Sequence, residues 1–382
     1  MIAEPDLDAP DDDWLVWADA AQQEGDPRGE LVALSLEGKL GDGFVRKHGE
    51  RLVGRTLGRH VRRGDCRITR WRRCYPDEVE LRIDDAAKGP QLVVDLLSAP
   101  CAERLRGLAI AGVATSNRTA ELDLSTTLGW FRESQLPPDL ASFALIDDRA
   151  REVDHLVSRD FRPGPNLVRF GSLAELWPVL DRIEHFKLVV ADPGQVQFCT
   201  IRLPAARSFT LHSLCWAEGL SNMLANAVWP RLAALELTLS EPQVANDPDD
   251  SRAYRVVHRV DHRRAAAFGE PHPNHWMELA PLLERVPQLE RLALRSFANS
   301  SVLDLLDDAE LPALVELDLS DSSFDRFDAE RFARSPLAHR LRRLVLERVR
   351  LATPRHLASL PCEIVHSCAP AAPTYRYVVS RE

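Results

Sequence analysis

The chain has 382 residues, 45% of them hydrophobic and 28% charged, with a formal net charge of -10 at pH 7. This composition supports a sizeable core and excludes a disordered chain, and the acidic balance argues against a surface that binds nucleic acid or anionic lipid throughout. No run approaches the roughly 20 apolar residues of a membrane-spanning helix, and the start lacks the basic and apolar stretches of a secretory signal, so a cytoplasmic protein is expected.

Five aspartates, Asp6, Asp8, Asp11, Asp12 and Asp13, lead into Trp14-Leu-Val-Trp-Ala-Asp-Ala-Ala21. They read as solvated residues with one available to cap a helix starting near Trp14. Gly25, Pro27 and Gly29 then force a tight break before a second apolar helix, Leu31–Leu36, because glycine and proline fix turn geometry. The pattern predicts a short helical hairpin.

Here the sequence resembles the repeat-companion domain, a bacterial module that commonly precedes leucine-rich repeats. The resemblance rests on Trp17-Ala-Asp and Glu24-Gly-Asp-Pro-Arg-Gly-Glu30-Leu, and it weakens before Gly25, where Trp17 stands for a tyrosine and Ala20-Ala21 for Trp-Leu. It spans about the first 80 residues. Trp71-Arg-Arg-Cys-Tyr-Pro-Asp-Glu-Val-Glu80-Leu resembles the family's strand leading into the repeats. The resemblance implies an architecture and no particular chemistry.

Between Arg46 and Arg73 lie eleven Lys or Arg residues against two acids. Arg51, Arg55, Arg59 and Arg62 recur at spacings that place them along one helix face. Such a stripe can follow a phosphate backbone. It can equally be a solvated face paired with the chain's many acids, or a dock for an acidic protein. Trp71 and Tyr75 are read as core residues of the module, with base stacking as the alternative.

A recurring L-x-x-L-x-L pattern occupies the rest of the chain. Leu232-Ala-Ala-Leu-Glu-Leu237, Leu289-Glu-Arg-Leu-Ala-Leu294, Leu314-Val-Glu-Leu-Asp-Leu319 and Leu341-Arg-Arg-Leu-Val-Leu346 begin 57, 25 and 27 residues apart, which fits leucine-rich repeats with one insertion, placed at Asn246–Ser251. Degraded copies stand at Leu105–Ile110, Ile183–Leu188 and Ala206–Leu211, interrupted by a loop or irregular repeat between Gln135 and Asn166. In each unit the leucines of L-x-L alternate inward along a short strand and the residues between them face out. Trp276, Leu279, Leu283 and Val286, then Val302, Leu303 and Leu306, predict helices between strands. The asparagine that often ties such turns together is replaced by Phe297, Ser322 and Val349, so irregular curvature is expected. Tyr375, Tyr377, Val378 and Val379 are assigned to a C-terminal cap over the last apolar edge.

Aligning the four clear units predicts three outward columns: Ala234, Arg291, Glu316 and Arg343; Glu236, Ala293, Asp318 and Val345; Thr238, Arg295, Ser320 and Glu347. Arg291, Glu316 and Arg343 alternate in sign and can pair with one another across strands about 4.8 Å apart. A column of one sign would point to an oppositely charged ligand. This mixed array points to a protein partner of mixed polarity.

Seven cysteines, Cys66, Cys74, Cys101, Cys199, Cys215, Cys362 and Cys368, form no CxxC pair, which fits a reduced compartment and packed free thiols. His258, His262, His272 and His275 share a short segment, yet no HExxH or cysteine-pair signature accompanies them, so no metal and no cofactor are expected. Nucleophile elbow, phosphate loop and dinucleotide fingerprint are all missing from the sequence.

The expected fold is α/β, an irregular leucine-rich-repeat solenoid over 81–382 behind a small helical module over 1–80. The expected function is a non-catalytic protein-protein interaction scaffold or adaptor, binding a protein on a concave face through Glu236, Arg291, Arg295, Glu316, Asp318, Arg343 and Glu347. The alternative is a nucleic-acid-binding protein that uses a basic helix over 46–73, through Arg51, Arg55, Arg59 and Arg62.

Overall fold

The structure is a computed structural model that describes residues 2–113, 122–148, 150, 168–191, 193–213, 220–239, 279–295, 300–320, 323–324, 326–351, 357 and 359–368. The expected loop at Asn246–Ser251, Trp276, the histidines 258–275 and the cap residues Tyr375–Val379 lie outside the described residues. Contacts divide the chain into two units, Met1–Arg207 with Ala227–Pro230, and Ser208–Asn226 with Arg231–Glu382. Each is mixed α/β and is built around a parallel sheet.

The first unit opens with helices α1 (Asp11–Gln23), α2 (Pro27–Leu36), α3 (Asp42–Val53) and α4 (Arg55–Arg63). The Gly-Asp-Pro-Arg-Gly-Glu segment explains itself as a corner between α1 and α2. Gly25 takes a left-handed φ of 73°, which a side chain would strain. Asp26 caps α2 by accepting the Arg28 N–H at 2.9 Å, and Pro27 enters the first turn, where its missing N–H costs nothing. Gly29 lets the helices touch, since a Cβ there would lie 2.4 Å from the Ala18 carbonyl oxygen. Trp14, Trp17 and Leu31 are buried in this corner.

Helix α1 starts at Asp11, three residues earlier than the apolar pattern suggests, and no aspartate side chain caps it. Asp11, Asp12 and Asp13 instead fill its first turn, where the helix dipole favours negative charge. The basic segment also departs from expectation. Residues 46–73 do not form one helix. Gly54, at φ 88°, ends α3 and starts α4, so Arg51 sits on one helix and Arg55, Arg59 and Arg62 on the next, while Arg67–Arg72 belong to a strand. The two helices fold back on each other at Gly49 and Gly58, where a Cβ on Gly58 would meet the Glu50 backbone at 2.5 Å.

Strand β1 (Cys66–Arg72) pairs antiparallel with β2 (Tyr75–Ile83). The stretch Trp71–Leu81 is thus a hairpin corner, turned by Arg73 at φ 60°, and not a single strand. From β2 the sheet grows in parallel through β3 (Gly107–Gly112), β5 (Ser142–Asp147) and β7 (His185–Val190). A small pair, β4 (Leu122–Asp123) with β6 (Val168–Arg169), lies apart from it. Helix α5 (Gly89–Leu97) and helix α6 (Ser125–Glu133) pack together, Gly89 meeting the Thr127 side chain. Strand β5 falls within the expected interruption and is a regular member of the sheet, with Leu140, Phe143 and Leu145 buried where a clear repeat has leucines.

In the second unit β8 (Ser208–Ser213), β9 (Ala234–Leu239), β10 (Arg291–Arg295), β11 (Glu316–Asp318) and β13 (Arg343–Leu351) follow in parallel order. Two further strands, β12 (Ser323–Phe324) and β14 (Glu363–Cys368), both pair with β13. All twelve leucines of the four L-x-x-L-x-L segments are buried, none more than 4% exposed. Burying one leucine side chain is worth about 1.5–3 kcal/mol, so the motif supplies a large part of the cohesion here. Helices at Leu220–Ala225, Ala280–Glu284, Ser300–Asp308, Arg326–Arg334 and Pro336–Arg340 separate the strands. Their apolar residues, among them Leu283, Val302 and Leu306, complete the core.

Candidate functional site

Because residues alternate along a strand, the leucines that build the core of the second unit leave every other position facing out. The sheet register sets those positions side by side. Ala234, Arg291, Glu316, Arg343 and Glu363 are successive partners in one column. Glu236, Ala293, Asp318, Val345 and Val365 form the next, and Arg295 stands beside Thr238 in a third. The repeat spacing predicts this alignment. It does not foretell Glu363, since Pro361 stands three residues before Ile364, where a clear repeat has its first leucine.

The charges on this face are knitted together. Arg343 lies 3.4 Å from Glu316 and 3.8 Å from Glu363, so the first column pairs in part as its alternating signs require. Arg291, exposed between Ala234 and Glu316 in the same column, has no ion-pair partner among the described residues. The strongest link runs diagonally. Arg295 on β10 donates to Asp318 on β11 at 2.8 Å and to Glu236 on β9 at 2.9 Å, so one guanidinium spans three strands.

Asp318 is nearly buried and has a second task. Its Oδ1 accepts the Ser320 N–H at 2.9 Å, and the Ser320 hydroxyl accepts the Glu347 N–H at 3.1 Å. Ser320 therefore ties β11 to β13 in a chain that lacks an asparagine ladder. Glu347 itself is exposed. The face carries Arg291, Arg295 and Arg343 against Glu236, Glu316, Asp318, Glu347 and Glu363, a mixed array with a small acidic excess.

The four arginines of the alternative reading are exposed, Arg51 on α3 and Arg55, Arg59 and Arg62 on α4. Arg51 donates to the Gly25 carbonyl at 2.8 Å, and Arg62 pairs with Glu50 at 2.7 Å. Further along, Arg70 binds Asp77 and Glu78, Arg72 binds Asp8, and Arg73 binds Asp11. Four of the eleven cations, Arg62, Arg70, Arg72 and Arg73, are thus ion-paired within the unit, Arg72 and Arg73 with aspartates read from the sequence as solvated. His60 is held between Asp65 at 3.3 Å and Asp95 at 2.9 Å, which fastens α4 to α5.

Burial pushes the Cys74 thiol up to about 12, with the Glu4 charge adding to it, and burial pushes Cys101 up to about 11. Cys66 rises further for the same reason. Thiols this hard to ionise are poor nucleophiles and poor metal ligands at neutral pH. Among the described residues no group of three or more His, Cys, Asp or Glu is placed to hold a metal ion, and no helix is long and apolar enough to cross a membrane.

No protein-family model and no curated protein matches the chain. Among solved structures, it is similar to a protein from Bacteroides fragilis, with a TM-score of 0.53 at 13% identity over 74% of this chain and 72% of the other. An internalin from Listeria monocytogenes aligns at 14% identity over 76% of this chain and 72% of that one, with a TM-score of 0.29. The likeness to the Bacteroides protein is one of fold.

Proposed function

We propose that the chain is a non-catalytic protein-interaction scaffold, an irregular leucine-rich-repeat solenoid that binds a protein partner on the outward face of the second unit's sheet. The observation that carries this reading is the strand register, which converts a sequence repeat into columns of side chains at fixed spacing. Parallel strands bonded on both sides form a stiff platform, and a regular array on such a platform suits an extended protein surface.

The polarity of the face supports a protein partner over nucleic acid. A phosphate-tracking surface needs cations in excess, whereas here acids outnumber arginines and most charges are already paired. The exposed pairs of Arg343 with Glu316 and Glu363 are worth under about 1 kcal/mol each, so a partner with matching groups can take them over at little cost. The ion pairs of Arg62, Arg70, Arg72 and Arg73 in the first unit weigh in the same direction.

The test is retention of proteins from native lysate by the tagged chain, with and without nuclease, set against the double variant Arg291→Glu/Arg343→Glu. A set of proteins that survives nuclease and is lost from the double variant, with circular dichroism unchanged, is the expected result. Retention of the same set by the double variant, or loss of all material on nuclease treatment, overturns the proposal.

A further inference from the structure

The segment from Ile2 to Pro10 has no regular secondary structure, yet it is laid across the first unit by its acidic side chains. Glu4 lies 3.1 Å from the Arg28 guanidinium and accepts the Tyr75 hydroxyl, with the Cys74 thiol at 3.9 Å. Asp8 pairs with Arg72. Between these two contacts, Leu7 lines a cavity of about 420 Å³ together with Val32, Leu36, Trp71 and Arg73. The backbone adds two fixings, the Asp6 carbonyl accepting from the Trp14 indole at 3.1 Å and the Ala9 carbonyl from Arg73 at 3.2 Å.

These contacts define a recognition pattern: a carboxylate, a leucine three residues later, and a second carboxylate next to it. The strap is held weakly for its number of contacts. The Asp8 side chain stays 89% exposed while paired with Arg72, and pairs open to water are individually weak and screened by salt. The 420 Å³ cavity also leaves room that Leu7 does not fill.

We propose that the surface under this strap, with Arg28 and Tyr75 at Glu4 and Trp71, Arg72 and Arg73 beside the cavity, forms a docking groove for an acidic segment of a partner protein with the pattern Glu-x-x-Leu-Asp, and that residues 4–8 occupy it as an exchangeable stand-in. Tyr75 and Cys74 remain protonated at neutral pH, with both groups pushed up to about 12, by burial first and then by Glu4. Each is therefore a hydrogen-bond donor to an incoming carboxylate. The groove belongs to the first unit and is independent of the face proposed above. It also accounts for part of the basic run without invoking nucleic acid.

The experiment uses the full chain and a fluorescent peptide copying residues 2–10, followed by anisotropy. The strap is loosened by Glu4→Gln/Asp8→Asn, both exposed changes. This variant is expected to bind the peptide at least about threefold tighter than the unaltered chain, since two exposed pairs are removed from the competitor. Binding should weaken in 0.5 M salt, weaken again for a peptide with Leu7→Ala, and fall about two- to fivefold when Arg72→Met is added. Arg28→Met gives a second groove variant with the same expected fall. No binding to the loosened variant, a gain below threefold, or equal binding after Arg72→Met overturns the proposal. A chain that dimerises in sedimentation only when its own strap is intact would identify the occupant as a second copy and overturn it as well.

Discussion

Arg295 grips the Asp318 carboxylate with two nitrogens, Nε and Nη2 each 2.8 Å from the same oxygen. Its third nitrogen reaches Glu236 at 2.9 Å. Replacing Arg295 with Met keeps the aliphatic stem and leaves Asp318 nearly buried with only the Ser320 N–H. A carboxylate stripped of its cation loses a charge-assisted bond, so the second unit should be destabilised by about 1–3 kcal/mol. Urea unfolding of the purified variant measures this. Asp318→Asn, which still accepts from Ser320, should lose less.

Gly29 and Gly43 give opposite expectations for one substitution. At Gly29 a methyl group would lie 2.4 Å from the Ala18 carbonyl oxygen and 2.8 Å from the Gln22 nitrogen, both backbone atoms that cannot step aside. Gly29→Ala should destabilise the helical corner by about 1–3 kcal/mol. Gly43 lies in the first turn of α3 with nothing within 4 Å. Gly43→Ala should stabilise by about 0.4–1 kcal/mol through the unfolded chain. Thermal melts of the two variants beside the parent decide both.

Asp26 ties corner stability to pH. Burial works to raise its carboxyl, but the hydrogen bonds and charge of Arg28, helped by Arg51, outweigh this and hold it below the ordinary carboxylate value. A depressed folded value means the ionised form favours the fold. The contribution is complete above the unfolded value of about 3.9 and is lost as pH falls through the lower folded value. Asp26→Asn keeps the helix cap and removes the charge. The stability gap between parent and Asp26→Asn should therefore be widest near neutral pH and close in acid. Asp26→Ala should lose about 0.5–2 kcal/mol more, for the missing cap.

The cysteines should differ sharply in reactivity. Cys199 is exposed, at a left-handed φ of 53°, while Cys66, Cys74 and Cys101 are buried with thiols pushed up. A maleimide or disulfide reagent at about pH 7.5 should modify Cys199 before those three in the folded chain. Peptide mapping after brief labelling shows the order. Prompt modification of Cys66 would contradict the packing of β1.

The sequence is most legible where one local rule decides the outcome. Leu292 and Leu294 can only alternate inward along a strand, so the outward places of Arg291, Ala293 and Arg295 follow without further information. The Gly-Asp-Pro-Arg corner is legible for the same reason, each residue having a backbone role. Pairings that depend on three dimensions were harder to see. Column neighbours are sequence-encoded, but the diagonal from Arg295 to Glu236 and Asp318 depends on how far a long side chain reaches. Arg51 and Arg55 keep helical spacing across Gly54, and only its positive φ breaks the stripe. Strand β5 was obscured because Phe143 stands where the pattern expects leucine, amid prolines that suggested a loop. The links from Asp8 to Arg72 and Asp11 to Arg73 join residues more than 60 positions apart, beyond the range of any periodicity.

The stacked register of the second unit also works as a ruler. Outward side chains repeat about every 4.8 Å from strand to strand and about every 6.6 Å along each strand. A helix presents neighbouring side chains on one face about 5–6 Å apart, so a helical partner lying across the strands would stay nearly in step with Arg291, Glu316 and Arg343, and fall out of step if turned along them. Arg291, Glu316 and Arg343 read positive, negative, positive from either end, so the column sets the partner's line across the strands and not its direction along that line. Orientation, as well as affinity, is thus written into the spacing of the leucines that lie hidden beneath.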